Sequence, residues 1–115
     1  MEIKINSNGN NASIMYNILS NKKMKRIGFE RCNNVWWLKK DLGHDLSFNV
    51  VIPVDGGDIK IYTYDSQYMK GYDYQYVLKV YPNEFSFSIR DKIYDSMEML
   101  IDNGILYGWK RGDFI

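Results

Sequence analysis

Residues 47–63, SFNVVIPVDGGDIKIYT, carry the reading on which the fold class turns. Phe48, Val50, Ile52 and Val54 fall on one face of an extended chain, and Ser47, Asn49 and Val51 on the other, because strand side chains alternate with a period of two. Asp55-Gly56-Gly57-Asp58 then supplies residues that tolerate positive φ, and Ile59, Ile61 and Thr63 resume the alternation. Two alternating runs joined by such a turn predict an antiparallel hairpin.

Upstream, Asn33-Asn34 is a tight-turn pair before Val35–Leu38, and Ile27, Phe29 and Arg31 alternate with Gly28 and Glu30 from Lys25 onward. Trp36 and Trp37 must then point to opposite faces. Ile14, Met15, Ile18 and Leu19 recur at helical spacing after an Asn-rich stretch at 6–11, which predicts a helix over about 11–21 ending in Lys22, Lys23, Lys25 and Arg26. Cations there would oppose the negative end of the helix dipole. Met1–Ile5 reads as a short edge strand.

Downstream, Asp65–Asp73 reads as a loop or single helical turn. Tyr74, Tyr76, Leu78 and Val80 alternate, Pro82-Asn83 offers a turn, and Phe85, Phe87 and Ile89 alternate again, which predicts a second hairpin. A second helix follows, with Asp91 as N-cap and Asn103-Gly104 as its stop. Ile93, Tyr94, Met97, Leu100 and Ile101 share one face of it, and Asp91, Asp95, Glu98 and Asp102 share the opposite one. The tail 105–115 adds a strand through Ile105, Tyr107 and Trp109. The predicted class is α+β: an antiparallel meander of about six strands with two amphipathic helices on one face, in a single domain spanning 1–115.

Composition narrows the function classes. Fifteen Lys and Arg against fourteen Asp and Glu leave a formal net charge of +1, which is no signature of a nucleic-acid or membrane binder. The single Cys32, the polar start and the lack of a long apolar run point to a cytoplasmic protein. Heavy use of Asn, Lys, Ile and Tyr is typical of an AT-rich genome, such as a low-GC bacterium or its phages and plasmids.

Conventional catalytic signatures are missing. His44 is the single histidine, and Asp45 beside it in a strand would point the other way. Cys32 has no surrounding nucleophile motif, and reads as a small half-buried residue at a strand end. Asp55, Asp58, Asp65 and Asp73 lack calcium-loop spacing, and the first two are explained by turn chemistry. No glycine loop for phosphate or hydrolase elbow occurs. The chain reads as a non-enzyme with no metal and no cofactor.

Seven of the ten tyrosines lie between Tyr62 and Tyr81, and tyrosine suits half-wet contact surfaces. Tyr62 and Tyr64 fall opposite Ile59, Ile61 and Thr63; whether that face is the outer one depends on which side the helices cover, and alternation alone leaves both cross-strand packing and a contact surface open. The expected contact residues are Tyr62, Tyr64, Tyr72 and Tyr74, with the acidic stripe Asp91, Asp95, Glu98 and Asp102 facing a basic groove on a protein partner. The expectation is a protein-binding module, in its sharpest form a phage or mobile-element inhibitor of a bacterial defence nuclease, anti-CRISPR-like in action. A homodimer closed by the Tyr-rich face or by the edge strand 1–5 is open as well. The alternative is a single-stranded nucleic-acid binder using Lys22, Lys23, Lys25 and Arg26 beside exposed aromatics.

Overall fold

The computed structural model describes residues 2–3 and 14–111. Eleven elements follow in the order β1 (Glu2–Ile3), β2 (Ile14–Tyr16), α1 (Asn21–Ile27), β3 (Glu30–Cys32), β4 (Val35–Gly43), β5 (Leu46–Pro53), β6 (Lys60–Asp65), β7 (Lys70–Gly71), α2 (Tyr74–Val80), α3 (Glu84–Asp102) and β8 (Leu106–Tyr107). The fold is α+β, as its alternating segments predict. Strands β3 to β7 form an antiparallel meander in chain order, and β1, β2 and β8 form a small separate sheet.

The central hairpin is the predicted one. Strands β5 and β6 pair with Phe48 opposite Thr63 and Val50 opposite Ile61. Asp55 Oδ1 accepts from the Gly57 amide at 3.3 Å, and Gly56 takes φ +88°. Strands β4 and β5 are joined through His44 and Asp45, both at positive φ (54° and 63°), the geometry that matches hairpin loops to strand twist. Asn33, at φ 53°, turns β3 into β4 as expected.

One face of this sheet is the core. Trp36, Leu38, Phe48, Val50, Ile52 and Ile61 are buried there, together with Met24 of α1, Tyr74 of α2, and Ile89, Ile93, Met97 and Leu100 of α3. Burial of such side chains stabilises by about 1.5–3 kcal/mol each. Gly28, at φ +122°, ends α1, and a side chain there would stand 3.2 Å from Leu38 Cδ1.

Several expectations fail for identifiable reasons. The helix over 11–21 is absent where the chain is described: residues 11–13 lie outside it, and Ile14–Tyr16 is a strand between β1 and β8. Ile14 and Tyr16 are buried with half-buried Met15 between them, a period-two pattern that the 14, 15, 18, 19 spacing obscured. The helix starts instead at Asn21, where the Ser20 hydroxyl accepts from the Lys23 amide at 3.3 Å. The basic run therefore lies within α1, with Lys25 and Arg26 alone in its last turn, and the strand expected from Lys25 shrinks to β3. Cys32 is exposed rather than half-buried. The stretch from Asp65 to Asp73 holds the short strand β7.

The second predicted hairpin is two helices. Asp73 Oδ1 caps α2 through the Tyr76 amide at 3.0 Å. Asn83 caps α3 in a reciprocal box: Asn83 Oδ1 accepts from the Ser86 amide, and Ser86 Oγ accepts from the Asn83 amide, both at 2.9 Å. Asp91 is thus mid-helix, not a cap. The buried residues Ile89, Ile93, Met97 and Leu100 recur every three to four positions, whereas Phe85 and Phe87 are exposed. Asn83→Ala is expected to lower stability by about 1 kcal/mol, readable as a shifted urea midpoint at unchanged slope. An unchanged midpoint would show that the cap does not hold α3. The predicted stop is correct: the Gly104 amide donates to Ile101 O at 3.0 Å, with φ +78°. The tail strand is β8, Leu106–Tyr107, and residues 112–115 of the expected tail lie outside the described chain.

Candidate functional site

The second face of the large sheet carries aromatic rings that, among the described residues, no helix covers. Strand parity puts Trp37, Lys39 and Asp41 of β4 on it, then Ser47, Asn49 and Val51 of β5, then Lys60, Tyr62 and Tyr64 of β6. Register sets the neighbours: Lys39 and Tyr62 flank Asn49 on either side, Tyr64 lies beside Ser47, and Trp37 beside Val51. Trp37 is 37% exposed and Tyr62 and Tyr64 are half-buried, while Asn49 at the centre is only 2% exposed.

Asn49 organises this face. Its Oδ1 accepts from Trp37 Nε1 at 3.2 Å, and its Nδ2 donates to Ser47 Oγ at 3.0 Å. A buried amide with both ends engaged is a fixed support, so the Trp37 ring is held in place rather than free to turn. Burial pushes the Tyr62 phenol up from its usual pKa, with Tyr64 adding to the shift. Tyr62 therefore presents a neutral hydroxyl at neutral pH.

The face is not flat. A depression of about 440 Å³ lies at its β4–β5 turn, lined by Lys39, Asp41, His44, Asp45, Ser47 and Ser66. A second, of about 230 Å³, lies at the other end between Gly28, Glu30, Trp37 and Lys39. His44 is exposed in the β4–β5 turn, with its ring edge-on to Phe85 at 4.8 Å. Among the described residues, no group of three or more His, Cys, Asp or Glu is placed to hold a metal ion.

The eight predicted contact residues do not form one surface. Tyr62 and Tyr64 lie together, half-buried, on the face opposite the core. Tyr72 follows β7 and packs half-buried against the core. Tyr74 is a core residue, 3% exposed, so its expected role as a surface anchor is corrected: as the first residue of α2 it points inward, which the strand reading could not show. Its hydroxyl accepts from Gln75 Nε2 at 3.1 Å.

Burial, the largest cause, pushes the Tyr74 phenol far above its usual value; the unfolded chain ionises near pH 10. Above that pH the unfolded state holds fewer protons, so stability present below about pH 10 is lost as pH rises further. Desolvation shifts Tyr16 and Tyr72 in the same direction. Tyr74→Phe is expected to flatten this alkaline loss in urea titrations between about pH 9 and 11. An unaltered slope would mean that Tyr74 does not contribute to it.

The acidic stripe runs along the outward side of α3, with Asp91, Asp95 and Asp102 exposed and Glu98 half-buried. Arginines of the same chain already serve three of its members. Arg90 pairs with Asp91 at 3.0 Å, and Arg111 pairs with Asp95 at 3.0 Å and with Glu98. Both guanidinium groups also stack on Tyr94, at 6.0 and 5.2 Å. The stripe is a solvated ion-pair lattice more than a bare negative field.

Sequence reasoning missed Asn49 and left open which of Trp36 and Trp37 faces out. Parity alone places Trp37 and Tyr62 on faces, but only the β4–β5–β6 register makes them neighbours through Asn49.

Fold and face together define an α+β domain with helices on one side of an antiparallel meander and an aromatic-bearing open side. Among solved structures the fold is similar to that of a DUF1831 family protein (lp2179) from Lactobacillus plantarum, with a TM-score of 0.65 over 92% of this chain and 93% of that one. Identity is 10%, so the likeness is one of fold alone. No family model matches the chain, and no curated protein matches it. Among the described residues, no helix is long and apolar enough to cross a membrane.

Proposed function

We propose that this chain is a non-catalytic binding domain that takes a protein partner on the open face of its large sheet, with Trp37, Tyr62 and Tyr64 as anchors. The observation that carries the reading is the Trp37 ring, well exposed yet fixed by its bond to the buried Asn49. Trp and Tyr dominate interface energetics where they are held rigid and flanked by polar groups. Solvent exposure of His44 and Cys32 speaks for binding over catalysis, which wants its groups enclosed and oriented.

The sharper form, an inhibitor that blocks the basic groove of a bacterial defence nuclease, draws its support from composition and size. Its acidic contribution is weakened by Arg90 and Arg111, so the weight moves from α3 to the open face. Lys39 and Lys60 beside the rings give the second reading, single-stranded nucleic acid stacked on the sheet, a specific footing.

The test is capture of partners by the tagged protein from low-GC bacterial lysate, with and without nuclease, beside a Trp37→Ala, Tyr62→Ala double variant. A stoichiometric protein that survives nuclease and is lost with the double variant supports the proposal. Material retained only without nuclease, and released steeply by salt, replaces it with the nucleic-acid reading.

A further inference from the structure

We propose that the depression beside Trp37 binds a small zwitterion carrying a quaternary ammonium and an anionic group a few bonds apart. The site goes beyond the protein-binding reading and does not rest on it, although both use the Trp37 ring. Among the described residues the depression is lined by Gly28, Glu30, Trp37 and Lys39, and it holds about 230 Å³. Its walls follow from register. Glu30 pairs directly with Trp37 across β3 and β4, so both side chains stand on the open face. Lys39 is the next residue of β4 on that face. Gly28, the cap of α1, supplies backbone rather than a side chain.

The two charges of this depression cancel, and the cancellation is what selects the ligand. Glu30 and Lys39 are both exposed and are diagonal neighbours, roughly 7–8 Å apart at Cα. Among the described residues, neither side chain makes an ion pair or a hydrogen bond. They flank the Trp37 ring without neutralising each other. A ligand with a single charge meets one of them as a like charge, whereas a zwitterion satisfies both. Lys60, the next cation on this face, lies two strands away from Trp37.

The ring selects the kind of cation. Trp37 is 37% exposed, and its Nε1 donates to the buried Asn49, so what it offers a ligand is ring carbon and not its N–H. A tryptophan face attracts cations, and quaternary ammonium groups are a recurrent ligand of such faces. A primary ammonium has three N–H donors to satisfy, and among the lining side chains only the Glu30 carboxylate accepts. A methylated cation has no donor to leave unpaired. It packs its methyl groups on the ring and keeps its charge beside Glu30, while the anionic end reaches Lys39. All these contacts are exposed, so affinity is expected in about the millimolar range.

The probe is trimethylglycine, titrated into the full chain while amide and indole N–H signals are followed by NMR. The expected result is saturable shifts at the Gly28, Glu30 and Lys39 amides and the Trp37 indole. Tetramethylammonium, which lacks the anion, and glycine, which lacks the methyl groups, are each expected to bind about 5-fold more weakly. Glu30→Gln and Lys39→Gln, substitutions at exposed positions that leave the core untouched, are expected to weaken trimethylglycine by about the same factor. Retention of the chain on phosphatidylcholine vesicles but not on phosphatidylglycerol vesicles would assign the ligand to a lipid headgroup. Saturable binding without vesicle retention would assign it to a free solute, and either source supports the site. Shifts that rise linearly without saturation, equal binding of glycine or tetramethylammonium, or full affinity in both variants overturns the proposal. So do shifts centred on His44 and Ser47. A missing protein partner sinks the open-face reading and leaves the zwitterion site standing; a silent titration does the reverse.

Discussion

Trp36→Ala is expected to remove about 3–5 kcal/mol of stability, a large share of the roughly 5–15 kcal/mol that holds a domain of this size. Trp36 is 1% exposed and lies in the core beside the other inward-facing residues of β4 and β5. Its deletion forfeits the transfer energy of the largest side-chain type and leaves a cavity that β5 and α3 can only partly close. Urea unfolding of the variant reads the loss directly, and a change under ~1 kcal/mol would place Trp36 outside the core. The neighbouring Trp37→Ala is expected to cost less, about 1–2 kcal/mol, mostly because Asn49 Oδ1 loses its donor in a buried position. Adjacent residues of one type thus separate the two faces of the sheet experimentally.

The second large effect is on binding. Trp37→Ala is expected to weaken the captured protein partner by about 2 kcal/mol or more, roughly 30-fold in Kd, as removal of a central rigid aromatic usually does. Tyr62→Phe, which keeps the ring and removes the hydroxyl, should cost much less than Tyr62→Ala. Titration calorimetry with variants shown by circular dichroism to be folded is the measurement. Full affinity in Trp37→Ala would exclude the open face as the contact surface. Asp91→Asn and Asp102→Asn are expected to change the on-rate and its salt dependence more than the affinity, because these are exposed charges in high dielectric.

The pattern of correct and incorrect expectations has a physical logic. Around Asp55-Gly56-Gly57-Asp58, turn chemistry and alternation act over a few residues and agree, so the hairpin was legible. Around Tyr74–Ile89 they disagree. A period-two string of Tyr, Leu, Val and Phe suits a strand, but Asp73 and the Asn83–Ser86 box cap helices, and the inward spacing of Ile89, Ile93, Met97 and Leu100 extends α3 backward through Phe87 and Phe85. Alternation puts those two aromatics on one strand face with Ile89, whereas both are exposed on the helix that Asn83 starts. The reverse error occurred at Ile14–Tyr16, where helical spacing concealed a strand held by β1 and β8, the latter about ninety residues away in the chain.

By itself, then, the sequence determined the α+β class, the central antiparallel hairpin, the opposition of Trp36 to Trp37 and the shared face of Tyr62 and Tyr64, since all of these follow from side-chain alternation and local turn chemistry. Tertiary structure alone decided that Tyr74 is core, that Asn49 pins Trp37, and that Arg111 returns to the acidic stripe. Each of those depends on register or on contacts between distant segments, and a repeat of two or four residues records which way a side chain points but not what it meets there.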